Sequence, residues 1–154
     1  MKTARAGVEI RPVVAADEPV WRALWTGYLE FYETEVSEHV YRTSFARLLD
    51  PDPAEYSGLL AVADGRPAGL AHYLFHRHMW RIEDVCYLQD LFVAPEARGR
   101  GLGAALIEAV YAAADDRGCP RVYWTTQHFN ADARRLYDRI GRLTPFVKYE
   151  RPPL

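Results

Sequence analysis

The chain has 154 residues, enough for one domain with its own core, and its 49% hydrophobic and 26% charged residues are ordinary for a soluble globular protein. A formal net charge of −2 lacks the basic surface that phosphate neutralisation needs, which sets nucleic acid aside as an expected partner. No apolar run reaches membrane-spanning length, and MKTARAGVEIRP holds no signal-peptide core, so no membrane association is expected. Cys86 and Cys119 form no CxxC pair and read as reduced structural thiols, so the expected location is the cytoplasm.

Residues 1–154 read as a single domain with its core over about 8–149. Val8 to Arg11 alternates before Pro12 and predicts a first strand. Asp17 is a candidate N-cap, with Glu18 and Pro19 in the first turn of a helix running to about Glu33. Trp21, Trp25, Tyr28 and Tyr32 recur at helical spacing on it. They are either core or, in the last turn with Tyr28, Phe31 and Tyr32, the lining of a substrate pocket. Glu33, Glu35 and Glu38 follow, as a solvated face or as an acidic rim that attracts a cationic substrate.

A second helix is expected over Tyr41 to Leu49. Leu59 to Ala63 and Ala68 to Phe75 are apolar runs joined by Asp64-Gly65-Arg66-Pro67, the composition of a tight hairpin. His72, His76 and His78 share one face of the second run. That is either a polar strand face or a metal site, and the expectation is no metal. Beyond the central segment, Arg121 to Thr126 predicts a strand and Ala131 to Ile140 a helix, capped by Asn130 and ended by Gly141. Leu143 to Glu150 predicts a last strand. The order β-α-α-β-β-β-α-β-α-β is that of a mixed α+β domain.

The central stretch, YLQDLFVAPEARGRGLGAAL from Tyr87 to Leu106, reads as strand, polar turn, glycine loop and helix. Gly99, Gly101 and Gly103 alternate where the helix begins. Glycine lets backbone amides approach a ligand, and the first amides of a helix are unpaired at its positive end, so the combination makes a phosphate cradle. A P-loop needs a GxxxxGK lysine, which the stretch lacks. The preceding antiparallel hairpins and the absence of an acid at a strand end about 20 residues on weaken a dinucleotide site.

Arg98-x-x-Gly101-x-Gly103, preceded by Leu91-Phe92-Val93-x-Pro95, closely resembles the acyl-CoA motif of the GNAT superfamily of N-acetyltransferases. Asn130-x-x-Ala133-x-x-Leu136-Tyr137-x-x-x-Gly141 resembles the second cofactor motif of that family. WRALWTGYLEFYE, YLQDLFV and VYWTTQHFNADARRLY are similar to a subfamily described from fungi as histone-acetyltransferase-like and as D-amino-acid N-acetyltransferases. More distantly, the chain is similar to diamine acetyltransferases, which carry two acids where Gln89 and Asp90 stand. Arg142 replaces the aromatic residue that commonly follows the second motif.

The resemblance implies a three-layer fold whose mixed, twisted sheet is splayed at the central strand and flanked by helices. It implies acetyl-CoA as cofactor and direct transfer, in a ternary complex, to a primary amine of a small molecule such as an amino acid or polyamine. A protein lysine, or a catalytically silent acyl-CoA-binding module, is the alternative. Backbone groups of Arg98, Gly99, Arg100, Gly101, Gly103 and Ala104 would hold the diphosphate, with charge from the two arginines. Phe92 and Val93 would offer main-chain groups to the pantetheine and acetyl carbonyl, and Asn130 would both cap its helix and touch the cofactor. Tyr137 matches the general acid of the family. The base is open among Asp90, Gln89, Glu83, Asp84, Glu33, His128 and a water acting with a distant acid. On a regular strand Gln89 and Asp90 face opposite ways, so at most one meets the substrate unless a bulge intervenes. Tyr28, Tyr32, Glu33 and Gln89 are the candidate substrate contacts. Fungal relatives pair through the region of Leu143 to Glu150, so a homodimer is expected.

Overall fold

Asp64 and Gly65 both take positive φ, +50° and +79°, the backbone of a two-residue I′ turn that matches strand twist. That turn folds β2 (Ser57–Ala63) onto β3 (Arg66–His76), and β1 (Val8–Pro12) and β4 (Val85–Val93) flank them antiparallel. β5 (Val122–Tyr123) closes the sheet parallel to β4, giving the order β1-β2-β3-β4-β5. The computed structural model describes residues 6–154.

The alternation of the strands sorts the core into two layers. Leu60, Leu70 and Phe92 face α1 (Glu18–Phe31) and α2 (Glu38–Leu49), packing with Trp21, Trp25, Leu29 and Phe45. Ala61, Ala71, Cys86 and Leu88 face α3 (Leu102–Asp116), whose Leu106, Ile107, Val110 and Ala114 are fully buried. The aromatic stripe of α1 therefore divides: Trp21 and Trp25 are core, and the last turn reaches the cleft described below. Gly27 lets α1 lie directly on β4, because a Cβ there would stand 2.9 Å from the Phe92 ring. α4 (Ala131–Ile140) lies beside α3, and Tyr111 on α3 donates to the Ile140 carbonyl at 2.9 Å. Helices on both faces of a mixed sheet make the expected three-layer α+β architecture.

Four local expectations change, and one is length: the strand expected over Arg121 to Thr126 is formed only over Val122–Tyr123. Asp17 does not cap α1 with its side chain. Instead it takes a bidentate pair from Arg11, at 2.7 and 2.8 Å, and a bond from the Val14 amide. The bond to Arg11 outweighs burial and holds the Asp17 carboxyl below the usual range. The second helix begins at Glu38, earlier than Tyr41, because the Ser37 hydroxyl accepts from the Val40 amide. The last concerns Leu143 to Glu150, which forms no strand. Among the described residues its alternation finds no neighbouring strand to pair with, Pro145 offers no amide, and Leu143, Phe146, Val147 and Tyr149 stand exposed.

Candidate active site

β4 ends at Val93, a 3₁₀ turn spans Pro95–Ala97, and the chain enters α3 through two left-handed glycines. Gly99 has φ +82° and Gly101, the N-cap of α3, has φ +77°. The Ala105 amide donates to the Gly101 carbonyl at 3.1 Å, so the amides of residues 102–104 precede the first helical donor and have no carbonyl partner within the helix. At Gly103 a Cβ would stand 3.0 Å from Leu136 Cδ2, so glycine here relieves a tight contact between α3 and α4. Arg98 folds back and donates from Nε to the Val93 carbonyl at 3.2 Å. Arg100 takes a different course, pairing with Asp64 at 2.9 Å, and is not part of the cleft wall.

β4 and β5 pair only at Cys86↔Val122 and Tyr87↔Tyr123 and then part. A cleft of about 910 Å³ occupies the opening. One wall is the last turn of α1, with Tyr28, Phe31 and Tyr32; the floor is Leu91 to Val93; the glycine loop and α4 complete it. Of the residues singled out by sequence, Tyr28, Tyr32, Phe92, Val93, Arg98, Gly99, Gly101, Gly103, Ala104, Asn130 and Tyr137 all line this one space. The Asn130 side-chain oxygen Oδ1 accepts from the Ala133 amide at 3.4 Å, capping α4. Tyr137 packs its ring on Trp124, and burial, with Tyr32 beside it, pushes its hydroxyl up to about 12. It is a phenol held in its protonated form at neutral pH.

Asp90 and Gln89 are set by a β-bulge. His72 pairs with Asp90 and Tyr73 with Leu88, so Gln89 is the extra residue on β4. Before the bulge Cys86 and Leu88 face α3; after it Leu91 and Val93 do, leaving Asp90 and Phe92 on the α1 face. Gln89 accepts from the Tyr56 hydroxyl at 3.0 Å. Asp90, only 7% exposed, accepts from His72 Nδ1 at 2.8 Å and from Trp25 Nε1 at 3.3 Å. Trp21 Nε1 in turn donates to His72 Nε2 at 2.9 Å. The Tyr28 hydroxyl is raised first by its own burial and then by the nearby charge of Asp90. Tyr32 is raised as well, first by burial and then by the charge of Asp90.

Glu33 lies apart, exposed at the end of α1 with φ +54°. The histidines of β3 take separate partners: His72 is locked as above, and His76 Nδ1 donates to the Arg77 carbonyl while its Nε2 accepts from the Tyr123 hydroxyl. Among the described residues no group of three His, Cys, Asp or Glu side chains is placed to hold a metal ion.

The donor set suits a long phosphorylated ligand: amides at a helix start without a helical partner, two left-handed glycines, and arginines at the rim. Sequence inspection missed Arg135 and Arg139 on α4, which also line the cleft. Their i,i+4 spacing on the helix opened by Asn130 was the available signal. Trp21 and His72 were named for other reasons, and no local motif ties either of them to Asp90.

Residues 20–141 match the model of the acetyltransferase (GNAT) family. The D-amino-acid N-acetyltransferase HPA3 of Saccharomyces cerevisiae is 39% identical over 94% of this chain and 90% of its own length. The thialysine N-epsilon-acetyltransferase of Bos taurus is 34% identical over 47% of this chain and 42% of its own. Among solved structures, the aminoglycoside N-acetyltransferase AAC(6')-Iy in complex with CoA superposes with a TM-score of 0.81. It covers 96% of this chain and 95% of its own at 21% identity, a likeness of fold.

Proposed function

The chain belongs to the GNAT acetyltransferase family and uses acetyl-CoA, and we propose that it moves the acetyl group to a primary amine of a small molecule by direct transfer in a ternary complex. The carrying observation is a single cleft lined by the glycine loop at the start of α3, by Tyr137 and by Tyr28 and Tyr32 of the last turn of α1. An amino acid is favoured over a polyamine as acceptor. The name of the yeast relative supports it, and Gln89 stands where diamine acetyltransferases carry an acid.

Acetyl-CoA brings an acetyl group activated as a thioester. The amides of Arg98 to Ala104 hold its diphosphate at the start of α3, with Arg98, Arg135 and Arg139 adding charge and Arg100 braced behind the loop by Asp64. Main-chain groups of Phe92 and Val93 position the acetyl carbonyl, and an amide aimed at its oxygen polarises it. Tyr137 donates a proton toward the departing sulfur, and Asp90 is the base that the acceptor amine requires. Tyr28 and Tyr32, with Gln89 behind them, form the acceptor side, and Glu33 stands apart from it. The buried Cys86 thiol is pushed up to about 12 by burial, an environment that suits packing and not nucleophilic attack.

The chain on this reading forms a homodimer, supported by the exposed apolar segment from Leu143 to Tyr149. It works in the cytoplasm, where its two free thiols stay reduced. Among the described residues no helix is long and apolar enough to cross a membrane.

The test is a thiol-release assay with acetyl-CoA over a panel of D- and L-amino acids, diamines and lysine peptides. Turnover on small amines that collapses in Tyr137→Phe is the expected result. Tight CoA binding without turnover on any amine, in wild type and variant alike, would leave only a binding module. Turnover restricted to peptides would move the acceptor to protein lysine.

A further inference from the structure

Tyr137 lines the cleft, yet among the described residues no hydrogen bond holds its hydroxyl, so packing of the ring sets where that hydroxyl points. The ring meets Trp124 edge to face, 5.5 Å between centroids and 67° between planes. Trp124 follows directly on β5 and lies outside the cleft wall. On its α3 side the indole meets the ring of Tyr111 at 6.3 Å, and Tyr111 ties down the end of α4 by its bond to the Ile140 carbonyl. On its α4 side it presses on Gly141 as well as Tyr137. Gly141 has φ −127° and ψ −167°, extended backbone open to any residue, so conformation does not explain the glycine. Space does. A Cβ there would stand 2.8 Å from Trp124 Cη2 and 2.9 Å from Cζ2, both atoms of a rigid ring. The Gly141 amide also closes the last turn of α4 on the Tyr137 carbonyl at 2.8 Å. Trp124 therefore grips α4 at Tyr137 and again one turn later, at its C-cap.

We propose that Trp124 is a positioning residue for the acid of the transfer: clamped between Tyr111 and Gly141, its indole fixes the ring of Tyr137 so that the hydroxyl faces the departing sulfur. The proposal rests on the acetyltransferase reading with Tyr137 as its acid. Trp124 stands behind the cleft wall and moves no proton itself. A phenol without a hydrogen-bond partner swings about its own side-chain bonds, and a misplacement of about 1 Å at a reacting atom costs about 100-fold in rate. An edge-to-face ring contact restricts that swing. It also leaves the hydroxyl its proton, which a hydrogen-bond acceptor in the same place would hold back from sulfur. Gly141 takes on a second task beside ending α4, because it makes the room that the indole needs.

The test compares wild type, Trp124→Phe, Trp124→Leu, Gly141→Ala, Tyr137→Phe and the double variant Trp124→Leu with Tyr137→Phe. It reads kcat and KM with acetyl-CoA and the best amine of the panel, acetyl-CoA affinity by calorimetry, and folding by thermal melting. Trp124→Leu should lower kcat by about 30-fold while acetyl-CoA affinity stays within about twofold. Trp124→Phe keeps an aromatic edge and should stay within about fivefold of wild type. Gly141→Ala pushes on the indole from outside the cleft wall and should lower kcat by about tenfold, which keeps the proposal testable if Trp124→Leu does not fold. In the Tyr137→Phe background Trp124→Leu should cost nothing more, because it acts through the hydroxyl already lost. A fall in melting temperature with kcat unchanged, or the same further loss of kcat in both backgrounds, would make Trp124 merely structural and overturn the proposal alone. An active enzyme whose kcat is undiminished in Tyr137→Phe would overturn Tyr137 as the acid, and the role of Trp124 with it. A wild-type chain that binds acetyl-CoA and acetylates no amine would overturn the acetyltransferase reading and both assignments.

Discussion

Trp21 and His72, 51 positions apart, meet through one buried hydrogen bond of 2.9 Å, and that bond decides which nitrogen of the imidazole carries its proton. The Nδ1–H tautomer is the expected state in tautomer-sensitive 15N spectra of the free protein. Trp21→Phe keeps an aromatic ring but removes the donor, so the tautomer should no longer be fixed. Because Trp21 is fully buried, the smaller ring should also cost about 2 kcal/mol by chemical denaturation. An unchanged imidazole spectrum in the variant would show that Trp21 does not set the proton.

Tyr137 supplies the second prediction. Its hydroxyl is raised to about 12 by burial, and Tyr32 adds to the effect. A folded value above the unfolded one, about 10, means the stabilisation is complete below roughly pH 10 and is lost as pH rises through the folded value. Tyr137 should therefore add no alkaline limb to kcat between roughly pH 7 and 10, and alkaline unfolding should shift in Tyr137→Phe. The same variant should lose about 100-fold in kcat with acetyl-CoA affinity kept.

The Arg11–Asp17 pair runs with the opposite sign. Asp17 is held below its ordinary value, first by the hydrogen bond from Arg11 and also by the Val14 amide. Its contribution is full above about pH 4 and disappears as pH falls through the lower folded value. Asp17→Asn should cost about 2 kcal/mol at pH 7, read as a drop in melting temperature of about 5 °C. The difference between variant and wild type should shrink in acid. A gap that stays constant to pH 2 would assign the loss to packing.

At Gly27 the prediction is steric. A methyl group would stand 2.9 Å from the Phe92 ring, and that ring sits on the floor of the cleft. Gly27→Ala should destabilise by about 2 kcal/mol through overpacking, despite the better helix propensity of alanine. Displacing Phe92 should also weaken acetyl-CoA binding, by about tenfold on the same scale of strain. Gain of stability with unchanged affinity would mean α1 has room to move.

The cofactor side of the site was legible because its signals are local. Glycines two apart at a helix start, an asparagine three residues before the amide it caps, and a tyrosine on the helix that follows are read along one stretch. Asp90 was nameable but its setting was not. Strand alternation put Gln89 and Asp90 on opposite faces, and the bulge that moves Asp90 to the face of α1 depends on the partner strand, which no local pattern encodes. Its bonds to Trp25, 65 residues away, and to His72, 18 residues away, follow from that register. Leu143 to Glu150 misled for the complementary reason. Alternation marks a segment able to pair, and only a neighbouring edge makes it a strand.

The two-residue contact between β4 and β5 leaves this fold with an unfinished ladder, and whatever fills the gap completes it. A ligand at roughly a hundredfold over its dissociation constant adds about 2.7 kcal/mol to the folded state. Abundance of the enzyme in a cell would thus track the acetyl-CoA pool, with starvation thinning the protein as well as slowing it.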